Sequence, residues 1–377
     1  MERVVVERLD HQGRGIAKIN NVVTFIPNAL VDEIVEIKLT KQKKKYNEAE
    51  VVNFIKKSPN RIEPICPYFL SCGGCSIMHM KNKVEYKNNV VKDVFQKYIK
   101  NNVKINDIKS FNDLYYRNKI TLKVNNNKIG YYKKETNELV EINNCLIASK
   151  KINEILKELK NHLDTSSISN IVIKASEKEN DSMVIIDNVT NKESIKEKLG
   201  EYSFLISKDA FFQTNTLVAE KLYDEVIRLA NFNKNDQVLD LYCGTGTISI
   251  YISKFVKKVI GVEIVKSAIE SANKNKELNN IKNVSFICDD VKDVLAKEKF
   301  NPNIIIVDPP RKGLDKRVIS ELLEINPKKI IYVSCDLLTL VRDLNLLMDN
   351  YNILEVSPFD MFPNTYHVES VVILERK

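Results

Sequence analysis

No apolar run in this 377-residue chain approaches the roughly 20 residues that a membrane-spanning helix needs. The opening stretch MERVVVERLD also lacks the apolar segment of a secretory signal, so a cytoplasmic protein without membrane attachment is expected. Disulfides are not expected among seven cysteines in a reducing compartment, which leaves metal binding or catalysis as their use. Internal repeats and low-complexity linkers are absent, so the chain is not a repeat array. With 44% hydrophobic and 29% charged residues, it is long enough for two or three domains, each with its own core. The net charge is +8, and five lysines (Lys38, Lys41, Lys43, Lys44, Lys45) fall within eight residues. Such a cluster is either a solvated loop or a phosphate contact.

Residues 1–58 read as a small all-β unit. Apolar runs at 4–9, 22–26, 31–39 and 49–55 are separated by Gly13-Arg14-Gly15, Pro27-Asn28 and the lysine loop. Five short strands with a basic loop suit an OB-like barrel, whose face commonly holds RNA. The segment resembles a TRAM domain, the RNA-binding module of several RNA-modifying enzymes.

Residues 59–201 read as a central α+β domain. It opens on Cys66-Pro-Tyr-Phe-Leu-Ser-Cys72-Gly-Gly-Cys75, and Cys145 follows much later. Three cysteines within ten residues, with Gly73 and Gly74 freeing the backbone, have the spacing of a metal knuckle. Four thiolates suit tetrahedral zinc or a [4Fe-4S] cluster, and the five-residue gap between Cys66 and Cys72 favours the cluster. Helices are expected over 81–100, 151–163 and 192–199. Strands are expected over 116–124 and 128–134, flanking Asn125-Asn126-Asn127, and over 170–174 and 183–187.

Residues 202–377 alternate strand and helix regularly. A buried strand at 238–242 runs into Cys243-Gly244-Thr245-Gly246-Thr247, a glycine turn that opens a helix. The third glycine of a dinucleotide fingerprint is missing, since Ser249 stands there, which argues against a pyrophosphate cofactor. S-adenosylmethionine needs only close backbone approach and an acid for its ribose. Glu263, 17 residues beyond Gly246 at the end of the second strand, is placed for that. The whole resembles a class I, Rossmann-like methyltransferase. Cys335 follows the apolar run 330–333, and a helical pattern begins at Leu337. A thiol at such a strand-to-helix switch faces the positive end of a helix dipole, and a pKa lowered toward neutrality is expected. The bland reading is a small buried hydrophobe.

Four further stretches narrow the family: Phe211-Phe212-Gln213-Thr214-Asn215, Asp308-Pro309-Pro310-Arg311, Ser334-Cys335-Asp336, and the run from Phe359 through His367 to Glu369. Together they resemble the RNA uracil-C5 methyltransferases over nearly the whole chain. The resemblance is to the ribosomal type, which carries a TRAM domain and a four-cysteine [4Fe-4S] cluster; simpler transfer-RNA members often lack both. It implies Cys335 as the nucleophile that adds to uracil C6, and Glu369 as the base that removes the C5 proton. Cofactor contacts carry over to Gln213, Tyr242, Gly244, Glu263 and Asp308, and cluster ligands to Cys66, Cys72, Cys75 and Cys145. The implied substrate is 23S ribosomal RNA, giving 5-methyluridine, and a monomer is expected. One departure is Leu337, where the family usually has proline, a change that bears on the helix start. A strand over 366–373 would put His367 and Glu369 on one face. Asp308 also suits a helix cap.

Other readings are a transfer-RNA methyltransferase and a non-catalytic RNA-binding assembly factor on the same fold. An amino-methyltransferase would carry an aromatic where Arg311 stands, and a cytosine-C5 enzyme a Pro-Cys dipeptide, which occurs nowhere in the chain. The Cys-x3-Cys-x2-Cys spacing of radical enzymes is absent.

Overall fold

The structure is a computed structural model that describes residues 1–134 and 136–377. Its first unit holds six strands: β1 (Glu2–Val5), β2 (Arg8–Leu9), β3 (Gly15–Ile19), β4 (Val22–Ile26), β5 (Ile34–Gln42) and β6 (Tyr46–Lys56). They pair in the order β1-β5-β6-β4-β3-β2. Strands β1 and β2 are halves of one bent segment. Val6 N–H donates to Glu33 O at 2.9 Å on one side and Glu7 N–H to Ile16 O at 2.8 Å on the other. Both sheet edges therefore belong to the same stretch, and the sheet curls around Val6, Ile26, Val35, Ile37 and Ala49. Six strands stand where five were expected because this bend divides the 4–9 run. Lys38 and Lys41 lie on β5, and Lys43, Lys44 and Lys45 form the turn into β6.

The chain continues through α1 (Lys83–Tyr98), β7 (Lys104–Ile105), β8 (Lys119–Asn125), β9 (Lys128–Tyr132), β10 (Leu139–Glu141), α2 (Lys150–His162), β11 (Asn170–Ser176) and β12 (Asp181–Ile186). Five of these strands form a sheet in the order β10-β9-β8-β11-β12, on which Ile152 and Leu156 of α2 pack. Asn126 and Asn127, at φ 49° and 60°, make the left-handed turn between β8 and β9, as a two-residue hairpin requires.

The segment expected to be a helix over 192–199 is instead β13 (Ser194–Leu199), hairpinned to β14 (Tyr202–Ser207). Lysine and glutamate favour helices, but Ile195, Glu197 and Leu199 are buried while Lys196 and Lys198 are exposed. That period of two is a strand's, and it overrides propensity. The boundary expected between residues 201 and 202 lies in the turn of this hairpin.

The remaining elements are α3 (Thr216–Ala230), β15 (Gln237–Leu241), α4 (Thr247–Ile252), β16 (Lys258–Glu263), α5 (Lys266–Leu278), β17 (Val284–Cys288), α6 (Val291–Lys297), β18 (Ile304–Val307), α7 (Lys316–Ile325), β19 (Lys329–Ser334), α8 (Leu337–Leu347), β20 (Tyr351–Phe359) and β21 (Glu369–Arg376). They build an eight-stranded sheet ordered β17-β16-β15-β18-β19-β21-β20-β7. Strands β15 to β19 run parallel, and β21 inserts antiparallel between β19 and β20. All four residues of β18 are buried because helices cover both faces, which is why the strand reads as an unbroken apolar run. Chain order reverses between β15 and β18, and ligands bind beside the carboxyl ends of strands at such a switch. No helix among the described residues is long and apolar enough to cross a membrane.

Candidate functional site

Tyr242, Gly244, Glu263, Asp308 and Cys335 follow or close the parallel strands at those carboxyl ends, and Glu369 opens β21. Strand β15 ends at Leu241, and Tyr242 then takes φ 64°, a left-handed conformation that a non-glycine side chain adopts at a cost of about 1–3 kcal/mol. Gly244 follows at φ 54°, and a Cβ built there would meet nothing within 4 Å. The turn therefore borders open space on the side a ligand would approach. Glu263 closes β16; its Oε2 accepts from Gly244 N–H at 3.2 Å and its Oε1 from Val265 N–H at 2.9 Å. The exposed apolar side chains of Ile264 and Val265 come next. A carboxylate beside an apolar ledge and an open glycine turn has the chemistry to receive a nucleoside without phosphate.

Asp308 begins the loop after β18. It is no helix cap, since α7 is capped by Asp315. Burial, followed by the neighbouring Asp240 charge, pushes its carboxyl up to about 7. Asp240 is itself pushed to about 7 by burial. Its Oδ2 accepts from Ser249 Oγ at 2.5 Å, while Oδ1 has no partner among the described residues. These carboxylates make the locality hungry for positive charge. Gln213 is half-buried on the loop before α3, where Asn118 Nδ2 donates to its carbonyl at 3.0 Å.

Cys335 and Glu369 are brought together by strand register. The antiparallel ladder of β19 and β21 ends on the pair Ser334 and Ser370. One step further along both chains stand Cys335 and Glu369, as residues facing each other across the ladder. The helix start expected at Leu337 is intact despite the missing proline. Asp336 caps α8, its carboxylate accepting from Leu338 N–H at 3.1 Å and Thr339 N–H at 2.9 Å.

The thiol itself departs from expectation, chiefly through burial. Cys335 is not acidified; its thiol is pushed up to about 12, first by burial, then by the charge of Glu369, with Asp308 and Asp336 also raising it and only Arg311 opposing. The Asp336 carboxylate occupies the helix terminus whose dipole would have stabilised a thiolate. Glu369 is buried and pushed up to about 8 by burial and Asp308, with Arg311 again the opposing cation.

Arg311 and His367 are site members whose roles the sequence left unassigned, although both stood in the quoted motifs. Arg311 Nη2 lies 3.2 Å from His367 Nε2. A guanidinium only donates, so Nε2 is the acceptor and the imidazole is neutral. Burial and the nearby cations accordingly pull its pKa down to about 4. His367 lies just before β21, which starts at Glu369 and not at 366 as expected. The 311–314 loop is held by buried Asp343, whose Oδ2 accepts from Leu314 N–H and Tyr332 Oη, both at 2.7 Å. Arg342 Nη2 donates to Lys312 O at 2.9 Å, so the Arg342-Asp343 pair supports Arg311 from behind.

The other four expected site cysteines lie apart from this centre. Cys66, Cys72, Cys75 and Cys145 all line one cavity of about 220 Å³, with Tyr68, Phe69, Met78, Arg117 and Tyr131 among its other walls. Among the described residues no three His, Cys, Asp or Glu side chains converge as ligands of a single metal ion do. The cavity far exceeds the roughly 10–15 Å³ that a single water needs by the same measure. Burial and the mutual charge of the cysteines push the Cys75 thiol up to about 12. The two regions touch through main chain: Ser76 and Ile77, next after Cys75, both donate N–H to Asn364 O, at 2.9 and 3.1 Å.

The parallel sheet with its glycine turn and acid-ended second strand defines an S-adenosylmethionine-dependent methyltransferase of α/β type. Residues 155–377 match the family of tRNA (Uracil-5-)-methyltransferases, and residues 1–52 match the TRAM domain. The chain is similar to an uncharacterised RNA methyltransferase of Clostridium acetobutylicum, 33% identical and covering 99% of this chain and 96% of that one. An uncharacterised RNA methyltransferase of Staphylococcus aureus is also 33% identical, over 98% and 96%. The fold superposes on the crystal structure of Pyrococcus abyssi tRNA (uracil-54, C5)-methyltransferase in complex with S-adenosyl-L-homocysteine. That match has a TM-score of 0.82 and 26% identity, and covers 99% of both chains. The chain belongs to the RNA uracil-5-methyltransferase family and carries an amino-terminal TRAM domain.

Proposed function

We propose that this enzyme methylates C5 of a specific uridine in large-subunit (23S) ribosomal RNA through a covalent bond between Cys335 and C6. The observation that carries the chemistry is the β19–β21 register, which sets a thiol beside a buried carboxyl. Uracil C5 is a weak carbon nucleophile. Addition of the Cys335 thiolate to C6 forms the S–C6 bond and moves the C5–C6 π electrons toward O4, leaving an enolate. S-adenosylmethionine, held by Gln213, Tyr242, Gly244, Glu263 and Asp308, would supply the methyl group as an electrophile, the C5–CH3 bond forming from the enolate as the S–CH3 bond breaks to leave S-adenosylhomocysteine. Glu369 then takes the C5 proton, the C–H pair restores the double bond, and the S–C6 bond breaks to free the thiolate. Arg311 is the one cation that favours both the Cys335 thiolate and the Glu369 carboxylate. Asp308 and Glu369 lose their protons more readily once a positive sulfonium stands beside them.

The target base must leave its stack, because thiolate attack comes perpendicular to the ring. The TRAM-type unit, read as an OB-like barrel, carries the lysine turn as its phosphate contact. Replacing Lys43, Lys44 and Lys45 with alanine is expected to lower the slope of log affinity against log salt by about 2, for three lost contacts. RNA binding measured across a salt series checks this, and cofactor affinity should not change.

Cys66, Cys72, Cys75 and Cys145 suit a [4Fe-4S] cluster, since four thiols ring a space too large for one ion, with Arg117 in its wall as a counter-charge to their thiolates. This central unit is then structural, because the methylation needs no electron transfer. Anaerobically purified protein is expected to hold four irons and four sulfides and to absorb broadly near about 400 nm. One zinc per chain with no iron would contradict it.

Transfer RNA is the second reading, favoured by the full-length likeness to the Pyrococcus abyssi enzyme. Mass mapping of 5-methyluridine in both RNAs from a deletion strain separates the two. Loss from 23S RNA supports the proposal, and loss from transfer RNA alone overturns the substrate.

Burial of Glu369 also predicts a pH effect on the ligand-free protein. With a folded pKa of about 8 against roughly 4.3 unfolded, the native state binds the extra proton between those values. Stability from this group therefore falls as pH rises through that window. Glu369→Gln is expected to raise Tm relative to wild type by about 2–4 °C or more at pH 8 and by little near pH 5, read by thermal melts.

A further inference from the structure

Helix α1 lies outside the switch point, yet it holds the loop from which Glu369 emerges. Lys87, in the second turn of α1, is fully buried, an uncommon place for an ammonium. Its Nζ pairs with Asp360 Oδ1 at 2.5 Å and donates to the carbonyls of Phe362 at 3.2 Å and His367 at 2.9 Å. All three acceptors belong to the 360–368 loop between β20 and β21, one at its start and one next to its end. A single cation thus closes the loop on itself. One turn earlier on α1, Lys83 Nζ donates to Asn364 Oδ1 at 2.7 Å. Tyr116 Oη donates to Pro363 O at 3.0 Å and Asn215 Nδ2 to Met361 O at 3.1 Å. The loop is therefore shaped by donors from outside its own two strands.

We infer that Lys87 is a positioning residue for the proton transfer: by binding Asp360, Phe362 and His367 together, it fixes the loop that leads into Glu369 at the start of β21 and sets His367 beside Arg311. The inference rests on Glu369 being the base. A stabilising role does not require a charge here, since buried ion pairs replaced by apolar side chains of like volume often cost nothing. What only a long cation supplies is simultaneous reach to three oxygens on the two limbs of one loop.

The test is the double variant Lys87→Met/Asp360→Leu, which removes both charges and keeps the volume filled. It is expected to fold, bind S-adenosylmethionine as wild type does and form the Cys335–RNA adduct at the normal rate. Release is expected to slow about 100-fold, as displacement of a reacting group by about 1 Å does. Backbone amides of 360–368 should exchange hydrogen faster. Asp360→Asn, which keeps the bonds to the two carbonyls, should release product near the wild-type rate. Normal release by the double variant overturns the inference, and so does its failure to fold, which would make the pair a folding element. Glu369→Gln is run in parallel. If it releases product normally, the base assignment fails by itself, and Lys87 is then judged on loop exchange, where unchanged protection overturns its role.

Discussion

Cys335→Ala is expected to abolish methyl transfer, by at least about 10⁴-fold, the scale of removing a covalent nucleophile, while leaving the fold and both binding affinities in place. Alanine fills the start of the turn as cysteine does, and the α8 cap depends on Asp336, not on the sulfur. Without the thiolate, uracil never gains electron density at C5, so the loss falls on kcat. Radiolabelled methyl incorporation checks the rate, and equilibrium binding of cofactor and RNA checks that the site is otherwise whole. Residual turnover within tenfold of wild type would remove Cys335 from the mechanism.

Glu369→Gln is expected to fail later in the same cycle. Glutamine keeps the shape but cannot take the C5 proton, so addition and methyl transfer proceed and elimination slows by about 10²–10⁴-fold, the usual contribution of a positioned base. A protein–RNA species that survives denaturing electrophoresis should accumulate, carrying one transferred methyl. The two variants separate the roles: one never forms the bond, the other does not break it. Rapid turnover of Glu369→Gln without any adduct would assign the proton to another group, and neutral His367 is the nearest alternative on the loop.

Much of this centre was legible in the chain because local pattern dictates it. An unbroken apolar run cannot be an edge strand, so the segment before Cys335 had to be central in a covered sheet. Spacing alone put Gly244 in the turn after the first strand of this sheet and Glu263 at the end of the second, and both stand there. What escaped depends on contacts far apart in sequence. The Cys335 pKa departs from expectation because burial and the Glu369 charge, both products of the fold, outweigh a helix dipole that local sequence suggests, and the Asp336 carboxylate adds to them. The 192–199 segment was misread because charge-rich composition hid an alternation that makes sense only once Glu197 is seen bonding Ser176 and Thr216. Nothing local in the sequence singles out Lys87, and only the fold brings Asp360, 273 residues away, against it. The likeness to a tRNA (uracil-54, C5)-methyltransferase over 99% of both chains likewise means that the fold by itself does not separate the two RNAs.

RNA substituted with 5-fluorouridine is expected to trap the proposed covalent route through Cys335. Fluorine at C5 cannot be removed as a proton is, so the cycle must halt after methyl transfer with the S–C6 bond in place. Wild-type enzyme, S-adenosylmethionine and the substituted RNA are expected to give a stable complex, and mass analysis of the digested protein should find a methylated fluorouridine on the peptide containing Cys335. Attachment to any other residue, or full occupancy of the RNA without a covalent complex, would contradict the account.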